Sequence, residues 1–502
     1  MVSALPVVPL PVVAERSGGR AFRLSEATAL SGDPSASAAL RRILRAVGAP
    51  IGRDADTTGD IDLVVDGTGA PESYRLVADA DGVRISAADA AGLFYGVQTL
   101  GQLLTRDDGA WTVPAVRVDD APRFAYRGVM LDVARHFHPL STVEAYIDRA
   151  AALKFNHLHL HLTDDQGWRL EIASRPLLTE RASGSSVGGD GGGFYTQDDY
   201  RRLVAYAAAR HMTVVPEIDL PGHTHAVSLA YPDLAEQPVV SDHVRETVEA
   251  FGGGLPQHGE PYEGMAVGFS SLRIRDEATY AFLSDVLTEV AALTPGPYVH
   301  VGGDEALGTP AEDFAYVMER ATEIVSGLGK TPVTWHEAGA APALAAGTIG
   351  QYWGFVTPLD GMDDKTRAFV SRGGRVILSP ADAVYLDMKP AEDFPIGLTW
   401  ARGATSLERA YSWEPAEVIT GIDEGDILGV EAPLWTETVR DLDDIDALAF
   451  PRISAAAEAA WSPRTGSHPD RSWASFRERM ATLSPLWESQ GIALGAHDGG
   501  AR

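Results

Sequence analysis

A (β/α)8 barrel preceded by a smaller α+β domain is the fold class the sequence predicts, and three observations predict it. From about Arg123 onward, short apolar segments alternate with helical ones, giving about eight strands in roughly 310 residues, and repeated βα units of this size are best satisfied by a barrel. Before that point the segments are short and mixed, with no such repeat. Carboxylates and tryptophans recur directly after the apolar segments, at the face where such a barrel holds its chemistry. A doubly wound open sheet is the alternative, but eight strands over this length favour closure. No phosphate-cradling glycine signature opens any helix, since Gly302-Gly303 is too short to count as one.

Residues 1–122 are expected to form the first domain and 123–502 the barrel. In the first, Ile61–Val65, Tyr74–Ala78 and Gly82–Ser86 read as short strands, and Ala87–Leu104 as an alanine-rich helix of period near 3.6. No chemistry is visible there, so its expected role is support. In the second, Tyr126–Asp132 is a near-continuous apolar strand, and Ser141-Thr-Val-Glu144 reads as a capping box opening a helix to about Lys154. Asn156–Leu162 alternates with period two. Gln197–His211 reads as helix and Met212–Ile218 as strand. Asp276–Leu293 is a long helix, followed by the strand Tyr298–Val301 and a helix from about Pro310. The strands Pro332–Trp335, Thr348–Trp353, Arg375–Leu378 and Ile427–Glu431 complete the set.

The 502 residues are 45% hydrophobic and 22% charged, an ordinary balance for a globular chain long enough to bury a large core. Cysteine is absent, which excludes disulfides, zinc-thiolate sites, iron–sulfur clusters and thiol nucleophiles. The net charge of −29 repels phosphate backbones and anionic lipid, so neither nucleic acid nor a membrane is expected as a partner. No segment reaches the roughly 18 apolar residues of a membrane span. The apolar run Val7–Val13 is broken by prolines and follows no basic residues, unlike a signal helix. The expected location is cytoplasmic, or secreted if a signal has been removed, and the expected state is a monomer or homodimer.

The polar residues after the strands are Asp132 and Arg135, Asp164 and Asp165, Glu217 and Asp219 with His223, and Asp304 and Glu305. Further along the chain stand Trp335 with His336 and Glu337, Trp353, Tyr385 with Asp387, and Trp435 with Glu437. An acidic and aromatic set suits sugars, because aromatic faces stack on pyranose C–H faces while carboxylates accept hydroxyl hydrogens. A two-carboxylate glycosidase needs one protonated acid, and mutual repulsion in the adjacent pair Asp304-Glu305 raises one pKa. A metal hydrolase is the rival suggested by His157-x-His159-x-His161, whose side chains share a strand face; the alternative is packing, with ring nitrogens bonded to backbone. A serine hydrolase lacks its Gly-x-Ser-x-Gly elbow.

Asp132-Val-Ala-Arg135-His136-Phe137, His161-Leu-Thr-Asp164-Asp165-Gln-Gly-Trp168, Pro216-Glu-Ile-Asp219-Leu-Pro-Gly-His223, His300-Val-Gly-Gly-Asp304-Glu305 and Trp435-Thr-Glu437 together resemble glycoside hydrolase family 20. This is the β-N-acetylhexosaminidase family, and the likeness runs in order from about Arg123 to Trp461. The first 122 residues loosely resemble the small domain that precedes the barrel in bacterial members. The resemblance implies a cofactor-free, metal-free, exo-acting and retaining enzyme that removes terminal β-linked GlcNAc, and GalNAc as a second hexosamine, from chitooligosaccharides or glycans. In such an enzyme the substrate's own 2-acetamido oxygen attacks C1.

The resemblance implies that Glu305 is the general acid and then base, that Asp304 orients the acetamide, and that Tyr385 donates to its oxygen. Asp164 and His223 relay to Glu305. Arg135 binds the 3- and 4-hydroxyls, and Asp387 and Glu437 the 4- and 6-hydroxyls, with Asp219 in the same substrate-binding set. Trp335, Trp353 and Trp435 enclose the sugar, and Trp400 stacks on the leaving group. The rivals are a disaccharide-releasing or sulfated-sugar-specific enzyme on the same scaffold, a silent sugar-binding barrel, and a metal-dependent hydrolase. Two segments match nothing: the acidic, glycine-interrupted 241–264, which is expected to shape outer subsites, and the glycine-rich 183–193, which is expected to be mobile.

Overall fold

The computed structural model describes residues 5–55 and 57–494. A seven-stranded mixed sheet comes first, in the order Val13–Arg16, Val116–Asp120, Tyr74–Asp79, Gly82–Ala87, Ile61–Val65, Ala29–Gly32, Arg53–Asp54. Its strand Tyr74–Asp79 alternates buried and exposed side chains, the pattern of a sheet with one face covered. The cover is a pair of helices, Pro34–Ala46 and Ala90–Gln102. Asp33 caps the first through the Ala36 amide, with Pro34 at the position where a missing N–H costs nothing. The second starts three residues later than its composition suggests, because Asp89 accepts from the Gly92 amide and sets the N-cap there.

Eight parallel strands then close into a barrel: Tyr126–Asp132, His157–His161, Thr213–Glu217, Tyr298–His300, Thr331–Trp335, Ile349–Tyr352, Val376–Leu378 and Ile427–Ala432. All eight coincide with the apolar segments read from sequence. The interior is layered. Tyr126, Val215, Val333, Ile349, Ile377 and Leu428 plug the N-terminal end. Met130, Trp335, Tyr385 and Trp435 cluster at the C-terminal end. Between them lies a polar layer. There Glu431 accepts from Tyr126, from His159 Nδ1 at 2.9 Å and from Gln351 Nε2 at 2.7 Å.

Three local expectations need correction. Ser141 does not cap its helix; the helix starts at Leu140 after Pro139, whose extended ψ of 159° makes the break, and Glu144 pairs with Arg202 at 2.9 Å. His159 and His161 do not bond backbone. His161 lies between Glu217 and Asp164, and His159 between Glu431 and Glu217, so the strand's alternation serves ion pairs. His157 instead stacks on Tyr126 at 4.0 Å. Residues 183–193 are tied down rather than loose: the buried Arg169 guanidinium donates to the carbonyls of Ser183 at 2.8 Å, Ser185 at 2.6 Å and Gly193 at 3.2 Å.

The apolar residues 5–10 are buried in a seam joining the sheet, the barrel and the helix Trp473–Ser489. The Gln102 side chain bonds both backbone groups of Val8, and Arg479 donates to the Val7 carbonyl. No helix among the described residues is long and apolar enough to cross a membrane.

Candidate active site

The strand Tyr298–His300 ends just before Gly302 and Gly303, whose φ angles of +63° and +108° turn the chain sharply. Only glycine fits at 302, because a Cβ there would lie 1.5 Å from Asp219 Oδ1. The turn frees Asp304 and Glu305 from strand alternation, so both reach one cavity of about 590 Å³. Glu305 itself sits at φ +44°, a conformation unfavourable for a side chain with a Cβ and of the kind held at functional sites. Its side chain is one-third exposed, whereas that of Asp304 is 10% exposed.

His223 faces both carboxylates. Its Nε2 lies 3.5 Å from Glu305 Oε2 and 3.7 Å from Asp304 Oδ2, and its Nδ1 lies 3.1 Å from Asp164. Burial alone would lower the His223 pKa, but Asp164 and Asp304 outweigh it and hold the ring well above its usual value, so it is protonated. Asp164 in turn receives Arg135 at 2.8 Å and His161 Nε2 at 2.6 Å. Burial would raise Asp164, but Arg135 and His223 hold it below the usual carboxylate range. The line continues inward to Glu217, where burial is outweighed by His161, His300 and His159, and the carboxylate stays ionised. Sequence reasoning places Glu217 among the polar strand ends without a role. The histidine alternation on the neighbouring strand is the signal that it has partners.

Asp219 does not line the cavity. It lies beneath the Asp304 loop and accepts from the Gly303 amide at 3.1 Å, because the turn folds back over the end of its own strand. Burial and the facing Asp304 push its pKa well up, so it is a neutral acid that supports Asp304. Burial also raises Asp304, with His223 opposing.

Arg135, Tyr385, Trp353, Trp400, Trp435 and Glu437 line the cavity with the two carboxylates. Asp387 and Trp335 lie just behind. Asp387 meets the Trp435 amide at 3.5 Å, and Trp335 packs on Trp435 at 6.0 Å between ring centres. The Arg135 guanidinium lies 4.8 Å from the Trp435 ring centre. Burial, then Asp387 and Asp304, push Tyr385 well above the usual phenol value, which keeps it a hydrogen-bond donor. Burial and Glu437 likewise raise Asp387. Six buried polar atoms without a protein partner lie here: Arg135 Nε, His223 Nε2, Asp304 Oδ1, Trp335 Nε1, Asp387 Oδ2 and Glu437 Oε2. Orphan donors and acceptors around one cavity are what a polyhydroxylated ligand satisfies.

Residues outside the predicted set also contribute. Glu337 accepts from Trp353 Nε1 at 3.0 Å, and burial with nearby Asp304 pushes its pKa up to about 8. His243, Thr247, Phe251, Met265 and Val267 form a further wall. The only sequence signal of His243, Thr247 and Phe251 is an i, i+4, i+8 spacing, and Met265 and Val267 have none. The trios His159–Glu217–His300 and Asp219–His223–Asp304 have metal-ligand atoms within 4.8 Å of one another. In the first, nitrogens already face Glu217 oxygens at 3.0 and 3.1 Å. In the second, a protonated imidazole stands among the carboxylates as the counter-charge.

Comparison with known proteins matches residues 124–312 and 307–464 to the catalytic domain of glycosyl hydrolase family 20. Residues 4–121 match domain 2 of the same family. The β-N-acetylhexosaminidase of Cellulomonas fimi is 40% identical over 501 residues, covering 97% of this chain and 95% of that protein. Among solved structures, a glycoside hydrolase family 20 β-N-acetylglucosaminidase is 60% identical with a TM-score of 0.92, covering 99% of both chains. A mutant Streptomyces plicatus β-hexosaminidase in complex with product (GlcNAc) is 41% identical with a TM-score of 0.88, covering 98% of this chain and 97% of that one.

Proposed function

The chain belongs to glycosyl hydrolase family 20, and from that premise we propose the part each side chain plays in its reaction. It is an exo-acting β-N-acetylhexosaminidase that works by substrate-assisted catalysis. Most glycosidases place two carboxylates across the scissile bond. Here the acetamide carbonyl oxygen attacks C1 as the C1–O bond to the leaving group breaks, and an intramolecular nucleophile replaces a bimolecular encounter. Glu305 gives its proton to the leaving oxygen. It then takes one from water, whose oxygen attacks C1 and reopens the oxazolinium with net retention.

Asp304 accepts the acetamide N–H and stabilises the charge that develops there. Tyr385 donates to the acetamide oxygen. Protonated His223, backed by Asp164, faces Glu305 and eases its return to the carboxylate form. Arg135, Asp387 and Glu437 hold the sugar hydroxyls, and Trp335, Trp353 and Trp435 enclose the ring. Trp400, 47% exposed at the rim, stacks on the leaving group. The single observation that carries these roles is the convergence of Asp304, Glu305 and His223 on a cavity ringed by unpartnered polar atoms. The substrates are chitooligosaccharides and glycans ending in β-linked GlcNAc, with GalNAc also accepted. The division near residue 122 separates this machinery from a supporting domain.

The test is release of 4-nitrophenol from its β-N-acetylglucosaminide, with the β-glucoside in parallel. Hydrolysis of the first alone is expected, and equal hydrolysis of both overturns acetamide participation.

A further inference from the structure

We propose that the helix Asp242–Phe251 is a leaving-group wall, whose stripe His243, Thr247 and Phe251 receives the sugar beyond the first one on the reducing-end side of the cleaved bond. The proposal rests on the hexosaminidase reading above and deepens it. The helix has two distinct faces. Val244 and Val248 pack with Tyr262, Ala266 and Phe269 in a small core of their own. His243, Thr247 and Phe251, at i, i+4 and i+8, line the cavity that holds Glu305.

Anchoring is rigid and local. Ser241 caps the helix through the Val244 amide, and Gly252, Gly253 and Gly254 end it, all at positive φ. Gly253 passes so close to Gly264 that a Cβ would sit 2.2 Å from the Gly264 Cα. Gln166 Nε2 then donates to the Gly264 carbonyl at 2.9 Å, and the Gly188 amide to the Glu263 carbonyl at 2.8 Å. The segment is thereby bonded to the loop that carries Asp164 and to the turn Val187–Gly189, whose Val187 amide donates to the Arg135 carbonyl at 2.9 Å.

The rest of the cavity sets the direction. Arg135, Asp387 and Glu437 occupy the buried end, so the terminal sugar enters there. The scissile oxygen lies at the exposed carboxyl of Glu305, and the leaving sugars emerge between Trp400 and this helix. The Phe251 ring is 61% exposed and lines the cavity, so its face is open for a sugar C–H face to stack on. From His243 to Phe251 the helix rises by about 12 Å, longer than one pyranose ring, so the wall extends past a single leaving sugar.

The experiment compares kcat/KM for 4-nitrophenyl β-GlcNAc, chitobiose and chitotriose in the parent enzyme, Phe251→Ala and Phe251→Trp. Phe251→Ala is expected to lower the value for chitotriose roughly fivefold more than for the aryl glycoside, with the change in KM, and Phe251→Trp to restore it. An equal loss on all three substrates, or no loss on any, overturns the wall while leaving the hexosaminidase reading intact. A parent enzyme that releases no 4-nitrophenol overturns both.

Discussion

At the seam between the N-terminal sheet and the barrel, both oxygens of Asp120 and of Glu458 are filled. Asp120 accepts from Lys154 at 2.8 Å, Tyr74 at 2.7 Å, Trp461 at 3.0 Å and two backbone amides. Glu458 accepts from Arg479 at 2.7 Å on each oxygen, from Arg471 and from the Leu10 amide. At the other end of the barrel, buried Asp304 and Asp387 and half-buried Glu437 each keep one oxygen without a partner. The seam contains buried carboxylates that the fold satisfies by itself. The cavity contains carboxyl groups that the fold leaves open to a ligand. Carboxyls of the first kind hold the domains in place, and those of the second kind cost stability that ligand binding recovers.

Glu305→Gln should produce the largest effect, a fall in kcat on chitobiose of roughly 10²–10⁴, because the leaving oxygen then lacks its proton donor. Unchanged turnover of chitobiose would remove Glu305 from the reaction. Asp304→Asn should lower kcat far more than it raises KM, since its partner is a charge that develops after binding. A pure KM effect would make Asp304 a binding group only.

Breaking the seam tests the opposite side. Lys154→Ala leaves Asp120 buried without its counter-ion and should cost about 3–5 kcal/mol in urea unfolding. Asp387→Asn removes an acid whose pKa is already raised well above normal, so it should change folding by no more than about 1 kcal/mol. KM for the sugar should nevertheless rise. If Asp387→Asn destabilised as much as Lys154→Ala, the distinction between the two kinds of buried carboxyl would fall.

A pH dependence concerns Glu337. Its folded pKa of about 8 exceeds the ordinary 4.5, so the folded state binds the proton more tightly. That contribution is complete below the unfolded value and is lost as pH rises through about 8. The Tm of the parent should therefore fall from pH 5 to pH 9 relative to Glu337→Gln, which stays neutral throughout. Parallel Tm profiles would mean that Glu337 is ionised in the fold.

Much of this is legible in the residues. Eight apolar segments with acids behind them specify a closed barrel, because repeated βα units over this chain length leave few other arrangements. The pairs Asp304-Glu305 and Gly302-Gly303 are local, so their joint appearance in one turn is fixed by neighbouring residues. The same logic misplaces Asp219: it stands after a strand as the pocket residues do, but the returning glycine turn covers it. The stripe on the helix Asp242–Phe251 is hidden because its spacing alone cannot say which face meets a cavity. Ser141-Thr-Val-Glu144 has a capping pattern, and Pro139 overrides it. Periodicity, turns and the chemistry of the reactive pair are local, and the residues alone carry them. Which buried polar groups find partners is settled by the fold, because that depends on side chains brought together across hundreds of residues, such as Asp120 with Trp461 and Tyr126 with Glu431.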